Sequence, residues 1–334
     1  MKTIFQPVHA CRLGASLAIA GMILGGCSLE QASPEEVAAA EAELDQGGRP
    51  EIIVHRANPS TGYAPTTGST STVKPTIVAH GGPVMAGTPN VYVIWYGAWL
   101  DSQKLIITDF LTSVGGSNHF NINKTYPGVT GLVTYAGSVV SSYVPAAGGT
   151  APLSDQDIQD IVGNSGLAYD ANGVYFVLTG SDVKKIDFCT KYCGWHSYAA
   201  ALLGGADVKF SFVGNPTACP LMGATVGNCS AQTVSSPNGD VGVDAMISVL
   251  AHELEEAVTD PKLNAWYDNR GYENADKCAW TFGTQTTAPN GAFMNVHLGL
   301  AAPAGRDFLI QRNLVRASTG NYCVKGVNGT TLIR

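Results

Sequence analysis

Across residues 240–259 the apolar side chains Val243, Met246, Ile247, Leu250, Leu254 and Val258 recur so that all fall on one stripe of an α-helix. Gly239 and Asp240 supply the start signal, and Asp260-Pro261 the stop. The same spacing puts His252 and Glu256 on the opposite side with Ala245, Ser248 and Val249, where they face either solvent or a cleft. Residues 102–113 carry Leu105, Ile106, Phe110 and Leu111 at helical spacing, and residues 154–162 read as a short acidic helix. Residues 90–96 and 173–178 are continuous apolar runs of buried-strand length, residues 208–213 alternate, and residues 132–143 alternate loosely like an edge or hairpin strand. Strands interleaved with helices predict an α/β or α+β fold with a mixed central sheet, in a single domain. There is no internal repeat.

Before residue 75 the pattern changes. Lys2 and Arg12 lead into an apolar stretch, residues 13–26, too short to span a bilayer comfortably. Leu24-Gly25-Gly26-Cys27 resembles a lipobox, so residues 1–26 are expected to be a lipoprotein signal peptide and Cys27 a lipidated anchor in the membrane. Ser28 after the cysteine leans by analogy towards the outer membrane; the alternative is an ordinary secretory signal and a secreted protein. Residues 27–74 read as a tether, with a short acidic helix over 37–44 and a Pro-, Ser-, Thr- and Gly-rich spacer over 57–74. The folded domain is expected over residues 75–334.

The formal charge of −7 becomes more negative by two when Lys2 and Arg12 leave with the signal. That makes nucleic acid and anionic lipid headgroups unlikely to be partners. Of eight cysteines, Cys11 and Cys27 belong to the leader and anchor, and the six that remain read as disulfides of an exported chain. The favoured pairing is Cys189–Cys193, Cys219–Cys229 and Cys278–Cys323, with a thiolate zinc site as the weaker alternative.

His252-Glu253-Leu254-Glu255-Glu256 is the zincin helix signature with its second histidine replaced by a carboxylate. Read that way, His252 and Glu256 are metal ligands, Glu253 is the general base, and Glu273 or Asp276 supplies the third ligand. Zinc is the expected metal, although oxygen-rich ligation also suits calcium or manganese. Tyr267, Tyr272 or His196 could steady a developing oxyanion. The alternative is that the three glutamates form a solvated acidic helix face. His196 reads more simply as a hydrogen-bonded turn residue, and His80-Gly81-Gly82-Pro83 lacks the nucleophile elbow of a serine hydrolase.

Several blocks together resemble the phosphate-induced protein 1 family, whose plant members are the EXORDIUM proteins of the cell wall. They are His80-Gly81-Gly82-Pro83-Val84, the run from Val91 to Gly97, Val174-Tyr175-Phe176-Val177-Leu178-Thr179, Cys193-Gly194-Trp195-His196, Phe212-Val213-Gly214-Asn215 and the run from Pro237 to Asp244. The likeness covers about residues 78 to 325 and extends through His252, Glu253 and Glu256 to Asn264-Ala265-Trp266-Tyr267 and to Glu273, Ala275, Asp276 and Cys278. The chain departs at Thr259-Asp260-Pro261, where the plant turn has Asn before Pro, and in its lipobox leader. The resemblance implies an exported domain with no settled biochemical activity.

Two functions are therefore expected. The first is a zincin-like zinc metallopeptidase acting on a peptide or cell-envelope substrate. The alternative is a non-enzymatic cell-envelope protein that binds glycan or another protein. A cleft open to His252 would favour the enzyme; exposed aromatic patches around Trp95, Trp99 and Trp266 would favour binding.

Overall fold

The apolar run at the centre of the chain forms the middle of a six-stranded sheet. The computed structural model describes residues 53–54, 76–219, 229–299 and 304–334. The sheet comprises β1 (Ile53–Val54), β3 (Asn90–Tyr96), β4 (Thr134–Val140), β5 (Gly173–Thr179), β6 (Gly194–Ala199) and β7 (Val208–Gly214), in the order β1-β6-β7-β5-β3-β4. Strands β7, β5, β3 and β4 run parallel; β6 pairs antiparallel with β7, and β1 antiparallel with β6. Helix α1 (Asp101–Val114) links β3 to β4, and α2 (Asp155–Gly163) links β4 back past β3 to β5. The right-handed rule for parallel crossovers, applied to two connections running in opposite directions across the sheet, puts these helices on opposite faces. Every residue of β5 and β7 is buried, as expected of central strands covered on both sides.

Helix α3 (Val241–Thr259) follows the sheet and packs on β6, β7 and α1. Asp240 caps it, accepting a hydrogen bond from the Val243 amide at 3.0 Å. The predicted apolar stripe is in the core, with Val243, Ile247, Leu250, Leu254 and Val258 fully buried. The polar side is not open to solvent or to a cleft, contrary to expectation. All residues from Gly242 to Thr259 except Ala245 are buried. The short helical turn Phe120–Thr125, strand β6 and the segment after Pro261 close over that side.

Beyond α3 the chain forms short antiparallel pairs. Strand β8 (Trp266–Tyr267) pairs with β2 (Val78–Ala79). The pairs β9 (Thr286–Thr287) with β10 (Phe293–Met294), β11 (Val296–Leu298) with β12 (Arg306–Phe308), β13 (Asn313–Ala317) with β14 (Gly320–Val324), and β15 (Gly326–Asn328) with β16 (Thr331–Ile333) follow. The result is an α+β fold with a mixed central sheet. Among the described residues, no helix is long and apolar enough to cross a membrane.

The disulfides are Cys189–Cys219, Cys193–Cys229 and Cys278–Cys323. The third is as expected, and the first two correct the local loops that the spacing suggested. Cys189 and Cys193 flank a tight turn in which the Cys189 amide donates to the Tyr192 carbonyl at 3.0 Å. From the two sides of that turn each cysteine reaches a different point of the segment after β7. The signal peptide, Cys27 and most of the tether lie outside the described residues; within the tether, Ile53 and Val54 pair with His196 and Trp195.

Candidate functional site

Helix geometry puts His252 and Glu256 one turn apart, and the fold adds partners from three other places. His252 Nε2 lies 3.1 Å from Glu256 Oε1 and 3.4 Å from Asp276 Oδ1. The Asp276 amide donates to Glu256 Oε1 at 3.0 Å, which ties the turn after β8 to the helix. Strand β6 contributes His196, whose Nδ1 is 3.5 Å from Glu253 Oε2 and 3.7 Å from Glu256 Oε2; its Nε2 is 3.7 Å from Glu273 Oε2. Gly194 makes this approach feasible. A Cβ there would sit 2.7 Å from Val249 Cγ1 and 3.1 Å from Glu253 Oε1. At the other end, His119 Nε2 is 3.3 Å from Glu255 Oε1.

All four predicted ligands, His252, Glu256, Glu273 and Asp276, are thus brought together with Glu253. The choice between Glu273 and Asp276 dissolves, because Asp276 sits on His252 while Glu273 sits on His196, and Glu256 faces both. One donor atom each from His252, Glu256 and Asp276, and likewise from His196, Glu256 and Glu273, lies within 4.8 Å of the others. Tyr267 stands apart, stacked on His80 with ring centroids 3.6 Å apart, and Tyr272 packs with Arg270 and Lys277. Sequence reasoning passed over His119, placed Glu255 only on a solvated acidic face, and weighed His196 as an oxyanion donor or, more simply, a turn residue. The neighbouring Trp195 was the one available signal that His196 is buried.

Burial dominates the electrostatics. It pushes the Glu255 carboxyl up to about 8 and, with Asp276 adding to it and His252 opposing, Glu256 up to about 7. Glu253 and Glu273 accept no hydrogen bond from the described residues, and burial holds both well above the usual carboxylate range. Burial lowers His196 to about 3 and His119 to about 4, so both are neutral at pH 7. For His252 burial also acts downwards, but Glu256, Asp276 and Glu253 outweigh it and raise the imidazole well above its ordinary value. The cluster is therefore a proton-sharing network built around one imidazolium. Its ion pairs among the described residues are all with histidine.

A metallopeptidase needs an open coordination position and a cleft for its substrate. Here His252 is 1% exposed, Glu253 0% and Glu273 0%. None of the three main cavities among the described residues is lined by His252, Glu253, Glu256, Glu273 or Asp276. Of the aromatic residues whose exposure would favour binding, Trp95 and Trp266 are buried and Trp99 is partly exposed.

Comparison with known proteins agrees. Residues 77–298 match the family described as "Phosphate-induced protein 1 conserved region". The chain is 34% identical over 248 residues to Protein EXORDIUM-like 3 of Arabidopsis thaliana, covering 66% of this chain and 74% of that protein. It is 31% identical over 233 residues to Protein EXORDIUM-like 5 of the same plant, covering 61% of this chain and 64% of that protein. Against Protein PHOSPHATE-INDUCED 1 of Nicotiana tabacum it is 33% identical over 215 residues, covering 56% of this chain and 66% of that protein. No solved structure matches. The relatives found are all plant proteins named EXORDIUM, EXORDIUM-like or PHOSPHATE-INDUCED 1, and none of those names is that of a hydrolase or a metalloprotein. With the sealed geometry, this overturns the expected zincin-like metallohydrolase, its metallopeptidase activity and its zinc, calcium or manganese cofactor. Three disulfides and these relatives leave the coarser reading standing: the chain is an exported member of the phosphate-induced protein 1 family.

Proposed function

We propose that this protein is a non-enzymatic binding protein of the cell envelope that recognises a glycan or another protein there. The observation that carries the reading is the contrast between a sealed acid–histidine cluster and accessible polar clefts elsewhere on the domain. In this reading His252, Glu253, Glu256, Glu273 and Asp276 have a structural role, joining α3, β6 and the turn at 273–278. The Leu24-Gly25-Gly26-Cys27 sequence supports anchoring by lipid on Cys27, in the outer membrane, with the residues between Cys27 and β1 spacing the domain from the bilayer.

The test incubates the purified protein with isolated envelope fragments and follows co-sedimentation, with mass spectrometry of the supernatant for released peptides. Retention on the fragments without new peptides is expected. Peptide release that disappears in Glu253→Gln would overturn the reading. Anchoring is checked separately by metabolic labelling with a palmitate analogue, which Cys27→Ser should abolish.

A further inference from the structure

Two adjoining clefts share Ser113, Leu298 and Gly299. The first, about 580 Å³, lies among Asp109, Pro237, Asn238, Arg306 and Asp307. The second, about 470 Å³, lies among Ser117, Asn118, Asn295, His297 and Lys325. Each is within the usual size range of small-ligand sites. Gly299, where the two clefts meet, has a φ of +88°, a backbone conformation that favours glycine, and it lies beside Ser113 at the end of α1.

The side chains of the larger cleft hold one another in place. Arg306 donates from Nε to Asp109 Oδ2 at 2.7 Å and from Nη1 to Asn238 Oδ1 at 3.1 Å. Asn238 is in turn fixed by its Nδ2, which donates to the buried Asp244 at 2.6 Å and to the Asp307 carbonyl at 3.0 Å. Across the hairpin, His297 Nδ1 lies 2.9 Å from Asp307 Oδ1. These side chains remain accessible, with Asp109 and Asp307 each 42% exposed. A network locked before the ligand arrives loses little entropy on binding.

The chemistry of the lining selects a ligand class. In the larger cleft Asp109 and Asp307 outnumber Arg306, which bonds Asp109, and in the smaller one Lys325 Nζ donates to the Thr284 carbonyl at 2.7 Å. An anionic ligand therefore meets two carboxylates beside the one guanidinium of the larger cleft, and they repel it. Against an extended peptide, the two clefts offer only Pro237, Val296, Leu298 and Ile333 as apolar anchors for its side chains. Carboxylates beside a guanidinium with Nη2 still to donate suit adjacent hydroxyls, which both donate and accept.

We propose that this double cleft binds a neutral oligosaccharide through Asp109, Arg306 and Asp307, an inference that rests on the envelope-binding function above. The test is isothermal titration calorimetry of the full chain with cellohexaose, maltohexaose, xylohexaose and chitohexaose, with hexagalacturonate as the charged comparator. At least one neutral hexasaccharide should bind, and Asp307→Asn and Arg306→Met should each weaken it at least tenfold. Lys191→Ala, at an exposed site away from the clefts, should bind as the parent does. Circular dichroism melting confirms that the conservative Asp307→Asn variant is folded. Neutral-sugar binding unchanged in both cleft variants would overturn the assignment of the cleft, and tighter binding of hexagalacturonate would overturn the ligand class. Failure of every neutral sugar, with envelope co-sedimentation retained, would overturn this inference alone. Loss of co-sedimentation as well would sink the envelope-binding function with it.

Discussion

His252 carries the charge balance of the interior. It is the one histidine of the cluster raised above its ordinary pKa, and Glu256 and Asp276 both lie against it. Removing it leaves buried carboxyls without a cation, so His252→Ala should cost about 3–5 kcal/mol in urea unfolding at pH 7. Glu273→Gln keeps the shape of a carboxyl that burial pushes towards its neutral form and should cost far less at the same pH. The pH dependence follows from the same groups. Glu255, at about 8 when folded against an ordinary 4.5, holds a proton that the unfolded chain releases, so its contribution to stability is lost as pH rises through 8. Glu253, Glu273 and the raised His252 act in the same direction. His119 and His196, at about 4 and about 3, act oppositely, but only below the ordinary histidine value of 6.5. Between pH 6.5 and 8 the first set acts alone, and the melting temperature should fall across that window. A flat or rising profile there would show that these carboxyls are ionised in the folded protein. The residue types of this cluster were legible in the His252–Glu256 spacing. Their burial was not, because helical periodicity reports which residues share a face and says nothing of what later covers it.

At the scale of elements, α3 is held by its cap and its stripe. Asp240 accepts from the Val243 amide and also receives Gln103 Nε2 from α1 at 2.8 Å. Asp240→Ala should lower stability by about 1 kcal/mol, whereas Leu254→Ala, at a fully buried site, should cost about 2–5 kcal/mol. Thermal melts of the two variants should rank in that order. Periodicity found α1, α2, α3, β3, β5 and β7 because each is long enough to repeat its pattern. It missed β6, whose Gly194-Trp195-His196-Ser197 opening neither alternates cleanly nor forms an apolar run. It also missed the terminal hairpins, whose strands of two to five residues are too short to show a period. That omission mattered, since β6 delivers His196 and the β11–β12 hairpin walls the clefts.

At the scale of the molecule, two disulfides fasten the turn before β6 to the segment after β7, and the third fastens the turn that carries Asp276 to β14. Peptide mapping under non-reducing conditions should recover Cys189 with Cys219 and Cys193 with Cys229; a Cys189–Cys193 peptide would contradict the fold around β6. Replacing Cys193 and Cys229 by Ser opens a cross-link spanning 36 positions and should cost about 4 kcal/mol on the chain-entropy account. By itself the sequence determined the family, the main helices and strands, and the identity of the acidic helix residues. All of these depend on local order along the chain. Tertiary structure alone decided which cysteines meet, that His196 and His119 join the cluster, that the cluster is sealed, and that the accessible polar surface lies at Asp109, Arg306 and Asp307. Each of those depends on segments distant in sequence closing on one another, and no local pattern records which segment will cover a given face.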